Sequence, residues 1–184
     1  MAKAKPQKVK VLANFYRLLH PRVTALIVSV DKEGKPNIMA CLWITPASME
    51  PPMLMALLGE QSYTRTLIQE CGEFTVNIPD KKLMHLIRVA GTRSGRNFDK
   101  FKAAKVTLKP ARKVRVPIVE ECPANIECKV KAVYEAGECL AFLGEVLDAY
   151  VNPKAFQQGL WKVKIPMHIW GSWFAYTGKP VKGW

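Results

Sequence analysis

No stretch of this chain approaches the roughly 20 consecutive apolar residues that a helical membrane span requires. Cysteine is sparse and odd in number, with five residues at 41, 71, 122, 128 and 139 and no CxxC pair among them. A disulfide framework and a zinc-finger spacing are both excluded, and reduced thiols fit best. Histidine is scarcer still. His20, His85 and His168 stand far apart in sequence, which argues against a dedicated metal site. Acidic residues number 15 against 28 Lys plus Arg, for a formal net charge of +13. Internal repeats and low-complexity segments are absent. The N-terminal MAKAKPQKVK is basic but lacks the apolar core of a secretory signal, so the expected setting is the cytoplasm.

What is present bounds the fold. The 184 residues, 49% of them hydrophobic, suffice for one domain with a sizeable core. Residues 1–8 are expected to form a basic, disordered tail and residues 9–184 a single domain. The positive charge favours anionic small molecules, nucleic acid or a membrane surface as partners. It is spread out, although residues 100–115 carry seven basic residues and no acid. No RNA-recognition signature interleaves aromatics with these bases. Two readings of the basic surface stay open: a solvated face, or a non-enzymatic nucleic-acid-binding module, the less favoured of the two.

The segment from Asn37 to Pro79 organises the chain. Its apolar runs surround two inserts. Thr45 to Pro52 holds three prolines and reads as an ordered turn, because proline fixes φ and removes an amide donor. Gly59 to Thr66 is rich in hydroxyls, with Ser62, Tyr63, Thr64 and Thr66 around Arg65, at the start of a helix-like run. Hydroxyls and free amides at a helix start can cradle a phosphate. The same residues can also be a plain N-cap at Ser62 or Thr64.

Along the rest of the chain, Leu12, Phe15, Tyr16 and Leu19 share one face of a short amphipathic helix over Val9 to Leu19 that packs on the body. Val23 to Asp31 and Pro36 to Ile44 read as a hairpin about Gly34. Met53 to Leu58 is a third strand, Tyr63 to Cys71 a helix stopped by Gly72, and Phe74 to Ile78 a fourth strand. Asp80 caps a helix over Lys81 to Ala90. Residues 91–101, GTRSGRNFDKF, form a polar loop, either a plain surface loop or an anion site whose glycines allow close approach. Ala124 to Tyr134 and Cys139 to Val151 make a long hairpin, and Ile165 to Tyr176 closes the chain. Many short antiparallel strands with few helices indicate a closed β-barrel with added helices.

Several pieces then recur together: NIMACLW, ITPASMEPP, SYTRTLIQECGEFTVNIP, SGRNFDKF, ECPANIECKV and the hairpin ending in FLGEV. In this order they resemble the flavin reductase-like family of FMN-binding split barrels, in particular its flavoredoxin-type members. The resemblance implies a mainly β fold, a six-stranded antiparallel Greek-key split β-barrel with a few peripheral α-helices. It also implies a homodimer with FMN near the interface. Met39, Ala40, Cys41, Leu42 and Trp43 would lie beside the isoalloxazine ring. Ser62, Tyr63 and Thr64 would bind the ribityl chain and phosphate, and Ser94, Gly95 and Arg96 would complete the phosphate site. Lys100 would lie near the cofactor, with Asp99 orienting it or Arg96. His168 and Trp170 would line the pocket or pack as core aromatics.

The implied activity is that of an FMN-dependent oxidoreductase or electron carrier. Its donor would be NAD(P)H or a reduced protein, and its acceptor flavin, a ferric complex or another protein. A deazaflavin in the same barrel is the further alternative. One departure stands out. NAD(P)H-using members often carry Gly-Asp-His before the FLGEV-like segment, where this chain has Gly137-Glu138-Cys139. Slow reduction by NADH or NADPH is expected on that ground.

Overall fold

A computed structural model of the protein describes residues 8–183. The basic tail expected over residues 1–8 lies, but for Lys8, outside them. A 3₁₀ helix over Leu12–Leu19 comes first, then strands β1 (Arg22–Val23), β2 (Ala25–Val30), β3 (Pro36–Cys41), β4 (Ile44–Met49) and β5 (Pro52–Gly59). Helix α1 (Tyr63–Cys71) leads into β6 (Glu73–Ile78). After a 3₁₀ turn at Lys81–Leu83 come α2 (Met84–Thr92) and α3 (Lys100–Ala104). Two short strands follow, β7 (Leu108–Lys109) and β8 (Ile118–Val119), then the long hairpin β9 (Ala124–Ala136) and β10 (Cys139–Val151). Two small hairpins end the chain: β11 (Phe156–Gln157) with β12 (Leu160–Trp161), and β13 (Pro166–Trp170) with β14 (Trp173–Tyr176).

The fold is mainly β, as expected. The main sheet is fully antiparallel, in the order β3-β2-β6-β9-β10-β5-β4. It has seven strands rather than the six expected, and the cause is local. The proline-rich insert is not a turn but an edge strand, β4, paired with β5 through a register shift between Pro46 and Ser48. An edge strand tolerates Pro46 because one row of its amides makes no ladder bond. The actual turn is Glu50-Pro51. The sheet curls until the corner after β3 meets β5, where the Leu57 amide donates to the Trp43 carbonyl at 2.8 Å.

Strand β2 explains how two cores share one sheet. All six of its residues are buried, so it reads as a continuous apolar run. Leu26, Val28 and Val30 point to α2 and to Val114, Val116 and Val119. Ala25 and Ile27 point into the curl against Phe74, Leu58, Phe142 and Ile68 of α1.

Several elements depart from the sequence pattern: the helix expected over Lys81 to Ala90 is a 3₁₀ turn capped by Asp80 and then α2, which runs on to Thr92, and α3 begins inside the expected polar loop. The first expected strand is broken at Thr24, and β1 pairs with β13 in a separate three-stranded sheet. The last expected element is a hairpin, because Gly171 (φ +53°) turns the chain back. The N-terminal helix is 3₁₀, kinked at Asn14, and buries no residue fully. Leu12, Phe15, Leu18 and Leu19 are exposed; Tyr16 reaches the body between Trp43 and Trp170, and Arg17 stacks on Trp170. The α1 boundaries agree with expectation. Ser62 is the N-cap, and Gly72 ends the helix in the left-handed region (φ 72°), where a side chain would be strained.

Candidate functional site

The N-terminus of α1, the middle of β3 and the end of α2 converge on one hollow. Ser62 accepts from the Arg65 amide at 3.3 Å, so it is a true N-cap. Its hydroxyl also lies 3.2 Å from the Met39 sulfur, which ties α1 to β3. Thr64 is buried, and its oxygen accepts from the Asn37 amide nitrogen at 2.7 Å. The resulting cavity, about 340 Å³, is lined by Asn37, Met39 and Ala40 of β3, by Gln61 to Thr64, by Ala90 to Gly95, and by Lys100. Ser62 is thus the helix cap, and Ser62, Tyr63 and Thr64 also line this cavity.

The loop after α2 supplies the opposite wall. Ser94 Oγ accepts from the Arg96 amide at 3.3 Å, which folds the loop on itself. The Arg96 guanidinium lies 4.9 Å from the centre of the Tyr63 ring, and its Nη1 donates to the Gln61 carbonyl at 3.4 Å. Gly95 packs so tightly on Asn37 that a Cβ there would overlap the Asn37 amide group. The Asn37 oxygen is itself buried without a donor. Lys100 is buried behind this wall. Its Nζ donates to the Ile38 carbonyl at 2.7 Å and to the Ala90 carbonyl at 3.2 Å, pinning β3 to α2. Asp99 does not orient Lys100 or Arg96; its carboxylate accepts from the Lys102 amide at 2.9 Å and caps α3.

Burial lowers the Lys100 pKa from 10.5 to about 8, because the charged ammonium loses solvation. The unfolded chain then holds this proton more tightly than the folded one. The stability Lys100 contributes is present above the unfolded pKa and is lost as pH falls through the folded pKa. Urea melts of wild type and Lys100→Met should diverge in favour of wild type from about pH 8 to 10.5, by up to about 3 kcal/mol. A pH-independent difference would contradict the shift.

A second, more apolar cavity of about 700 Å³ continues the groove. Ala40, Gly91 and Thr92 line both, and Leu42, Met84, His85, His168 and Phe174 line the far part. His168 is buried, with Nε2 3.1 Å from the Gly171 carbonyl and its ring 5.2 Å from that of Phe174. Trp170 stands apart, half-exposed beneath the Arg17 guanidinium at 3.3 Å. Cys41 and Trp43 line neither cavity. The Cys41 side chain faces the core and donates to the Trp43 carbonyl, and burial pushes its thiol up to about 12. Burial likewise raises Cys128 to about 12 and Cys122 further. Cys139, opposite Gly59 at the mouth of the β9–β10 hairpin, lines neither cavity.

One groove thus carries a hydroxyl- and amide-lined end with a cation at its rim, and an apolar end with a buried imidazole. A model of the flavin reductase like domain matches residues 16–169, which span both ends of the groove. The chain belongs to the flavin reductase-like family. It is 39% identical to an uncharacterized protein of Archaeoglobus fulgidus over 148 residues, 80% of this chain and 82% of that one. Its structure is similar to flavoredoxin of Desulfovibrio vulgaris (Miyazaki F), with TM-score 0.81 and 28% identity over 99% of this chain and 96% of the other. Flavoredoxin from Methanosarcina acetivorans gives TM-score 0.81 and 25% identity, covering 97% and 95% of the two chains. Within this flavin reductase-like fold, sequence reasoning missed Asn37 and Ala90, whereas Gln61, Gly91 and Thr92 fall inside the two candidate anion segments without being singled out. Asn37 opens the organising segment, but nothing in a single asparagine signals that α1 and the glycine loop will both close on it. Among the described residues no helix is long and apolar enough to cross a membrane, and no cluster of three metal-ligating side chains occurs.

Proposed function

We propose that the groove binds FMN and that the chain is an FMN-dependent oxidoreductase or electron carrier. The observation that carries this is the pairing of an anion-suited end with an apolar end in one groove along β3. Ser62, Tyr63 and Thr64, with Ser94, the Gly95 backbone and Arg96, would hold the phosphate and ribityl chain. The unpartnered Asn37 oxygen suits a ribityl hydroxyl, and Lys100 fixes the wall behind it. Ala40 and Leu42 would face the ring, with His168 across the groove. The flavin, when bound, supplies the electron transfer, and the chain's own residues orient it and exclude water. The curled sheet is read as the family's Greek-key split barrel with β4 added at its edge. The exposed Leu12, Phe15, Leu18 and Leu19, next to exposed Trp170 and Trp173, are read as a homodimer surface, since large apolar patches mark association sites.

Two measurements test this reading. Titration of flavin-free protein with FMN should quench flavin fluorescence, and Arg96→Ala should weaken FMN by about tenfold, the low end for a charge-assisted bond from an exposed guanidinium. Riboflavin, which has no phosphate, should be insensitive to that change. Equal losses for the two ligands would remove Arg96 from the phosphate. The electron donor is NAD(P)H or a reduced protein. Because Cys139 lines neither cavity, stopped-flow reduction by NADH or NADPH should differ by no more than about twofold in Cys139→His. A gain of about 10²–10⁴-fold would put that position in reach of the reacting atoms.

A further inference from the structure

The apolar end of the groove carries a charged side chain to which the FMN reading assigns no task, Arg88 of α2. Met84, His85, Gly91 and Thr92 of the same helix also line that cavity. Arg88 stands three or four positions from each of them, so it lies on the helix face turned to the cavity. It is exposed, and among the described residues no carboxylate lies within ion-pair distance of it. Cations elsewhere are arranged differently: Lys109, Arg112, Arg115 and Lys131 each meet an acid.

The lack of acids holds for this whole end of the groove. No aspartate or glutamate occurs before Asp31, after Asp148, or within Met84–Thr92. The N-terminal 3₁₀ helix, β1, β13, β14 and α2 therefore bring Arg17, Arg22 and Arg88 and no negative charge. A cleft of one sign with apolar walls concentrates anions. The imidazoles do not compete for this role. His168 Nε2 lies 3.1 Å from the Gly171 carbonyl and His85 Nε2 lies 3.0 Å from the Ala104 carbonyl, so the N–H of each neutral ring is already spent. The Thr92 hydroxyl donates to the Arg88 carbonyl at 2.7 Å. Among the described residues, Arg88 and the Ser172 hydroxyl are the side-chain donors of this cavity left uncommitted. Leu42, Met84, Ile87 and Phe174 make the rest of the wall apolar.

We propose that the apolar end of the groove takes, beside the flavin ring, a substrate of one chemical class: a flat organic carboxylate, with its acid group on Arg88 and its body against Met84 and Phe174. The planar guanidinium fork matches the two carboxylate oxygens, and the apolar wall around it strengthens the pair. At about 700 Å³ the cavity is of the size that encloses a drug-sized ligand, more than a tricyclic ring alone requires. The inference deepens the FMN reading and rests on it for the ring next door.

The test is calorimetric titration of benzoate, cinnamate and 2-naphthoate, each beside its neutral amide, into FMN-loaded wild type and Arg88→Gln. Arg88 is exposed, so the variant keeps the fold, which its melting temperature checks. At least one carboxylate should bind wild type about tenfold or more tightly than its amide, and about tenfold or more tightly than acetate, which has the charge without the body. Arg88→Gln should bring the preference over the amide below about threefold. No preference for any of the three carboxylates, a preference that survives Arg88→Gln, or acetate binding as tightly as the aryl acids would each overturn the proposal. Failure of FMN itself to bind would instead defeat the reading of the groove, and the same titrations of that flavin-free protein would still test the cavity.

Discussion

Glu127→Ala is expected to cost about 3–5 kcal/mol of stability, the range for breaking a buried charged network from one side. Glu127 is fully buried on β9. Its carboxylate accepts from three successive amides, Arg112 at 2.7 Å, Lys113 at 2.6 Å and Val114 at 3.2 Å. The Tyr150 hydroxyl donates to it at 3.0 Å. These bonds hold the segment between β7 and β8, which has almost no ladder of its own, against the sheet. Val114 and Val116 from that segment fill the core beside α2. Without the carboxylate, one buried and two part-buried amides lose their partner, and a buried group left unpaired costs about 1–3 kcal/mol. Glu127→Gln keeps the shape and one acceptor, so it should recover part of the loss. Chemical denaturation of the two variants measures both; an alanine variant within about 1 kcal/mol of wild type would mean that the segment docks without the carboxylate.

Gly95→Val should abolish flavin binding at micromolar protein, a loss of about 100-fold or more. The reason is steric. A Cβ at Gly95 would stand 2.8 Å from the Asn37 Cγ and 3.4 Å from the Tyr63 ring, so the loop must retreat from Asn37 on β3. Ser94 and Arg96 retreat with it, and the two halves of the proposed phosphate site separate. Asn37 cannot yield easily, because its other atom is held by Thr64 at 2.7 Å. The loop lies outside the sheet, so circular dichroism and the melting temperature should change little. An FMN affinity within about fivefold of wild type would show that the cradle does not need this contact.

Neither residue announces its role in the sequence. Glu127 sits in an alternating strand pattern as one more polar residue, and Gly95 is one of two glycines in a polar loop. Glu127 became important only when residues 112–114, 13 to 15 positions earlier, were laid over it. The SGRNFDKF piece did mark the loop, through resemblance. That Lys100 would be buried and would bind backbone rather than face a ligand freely was beyond it. The proline-rich insert misled for a related reason. Proline limits the residue's own hydrogen bonding, yet an edge position removes that limit, and edge or centre is a property of the sheet.

By itself the sequence determined the elements whose causes are local: the β2 and β3 runs, the Ser62 cap and Gly72 stop of α1, the Asp80 cap, and the long β9–β10 hairpin. Their signals, periodicity and capping, act over a few residues and carry through to the fold. Through its motif order it also determined the family. Only the tertiary structure decided what meets what. Asn37 reaches Thr64, Lys100 reaches Ile38 across 62 positions, and Gly95 closes on Asn37. Such contacts follow from sheet order and from the docking of α2 on β3. The free energy of those arrangements is shared over the whole core, so no short stretch encodes them.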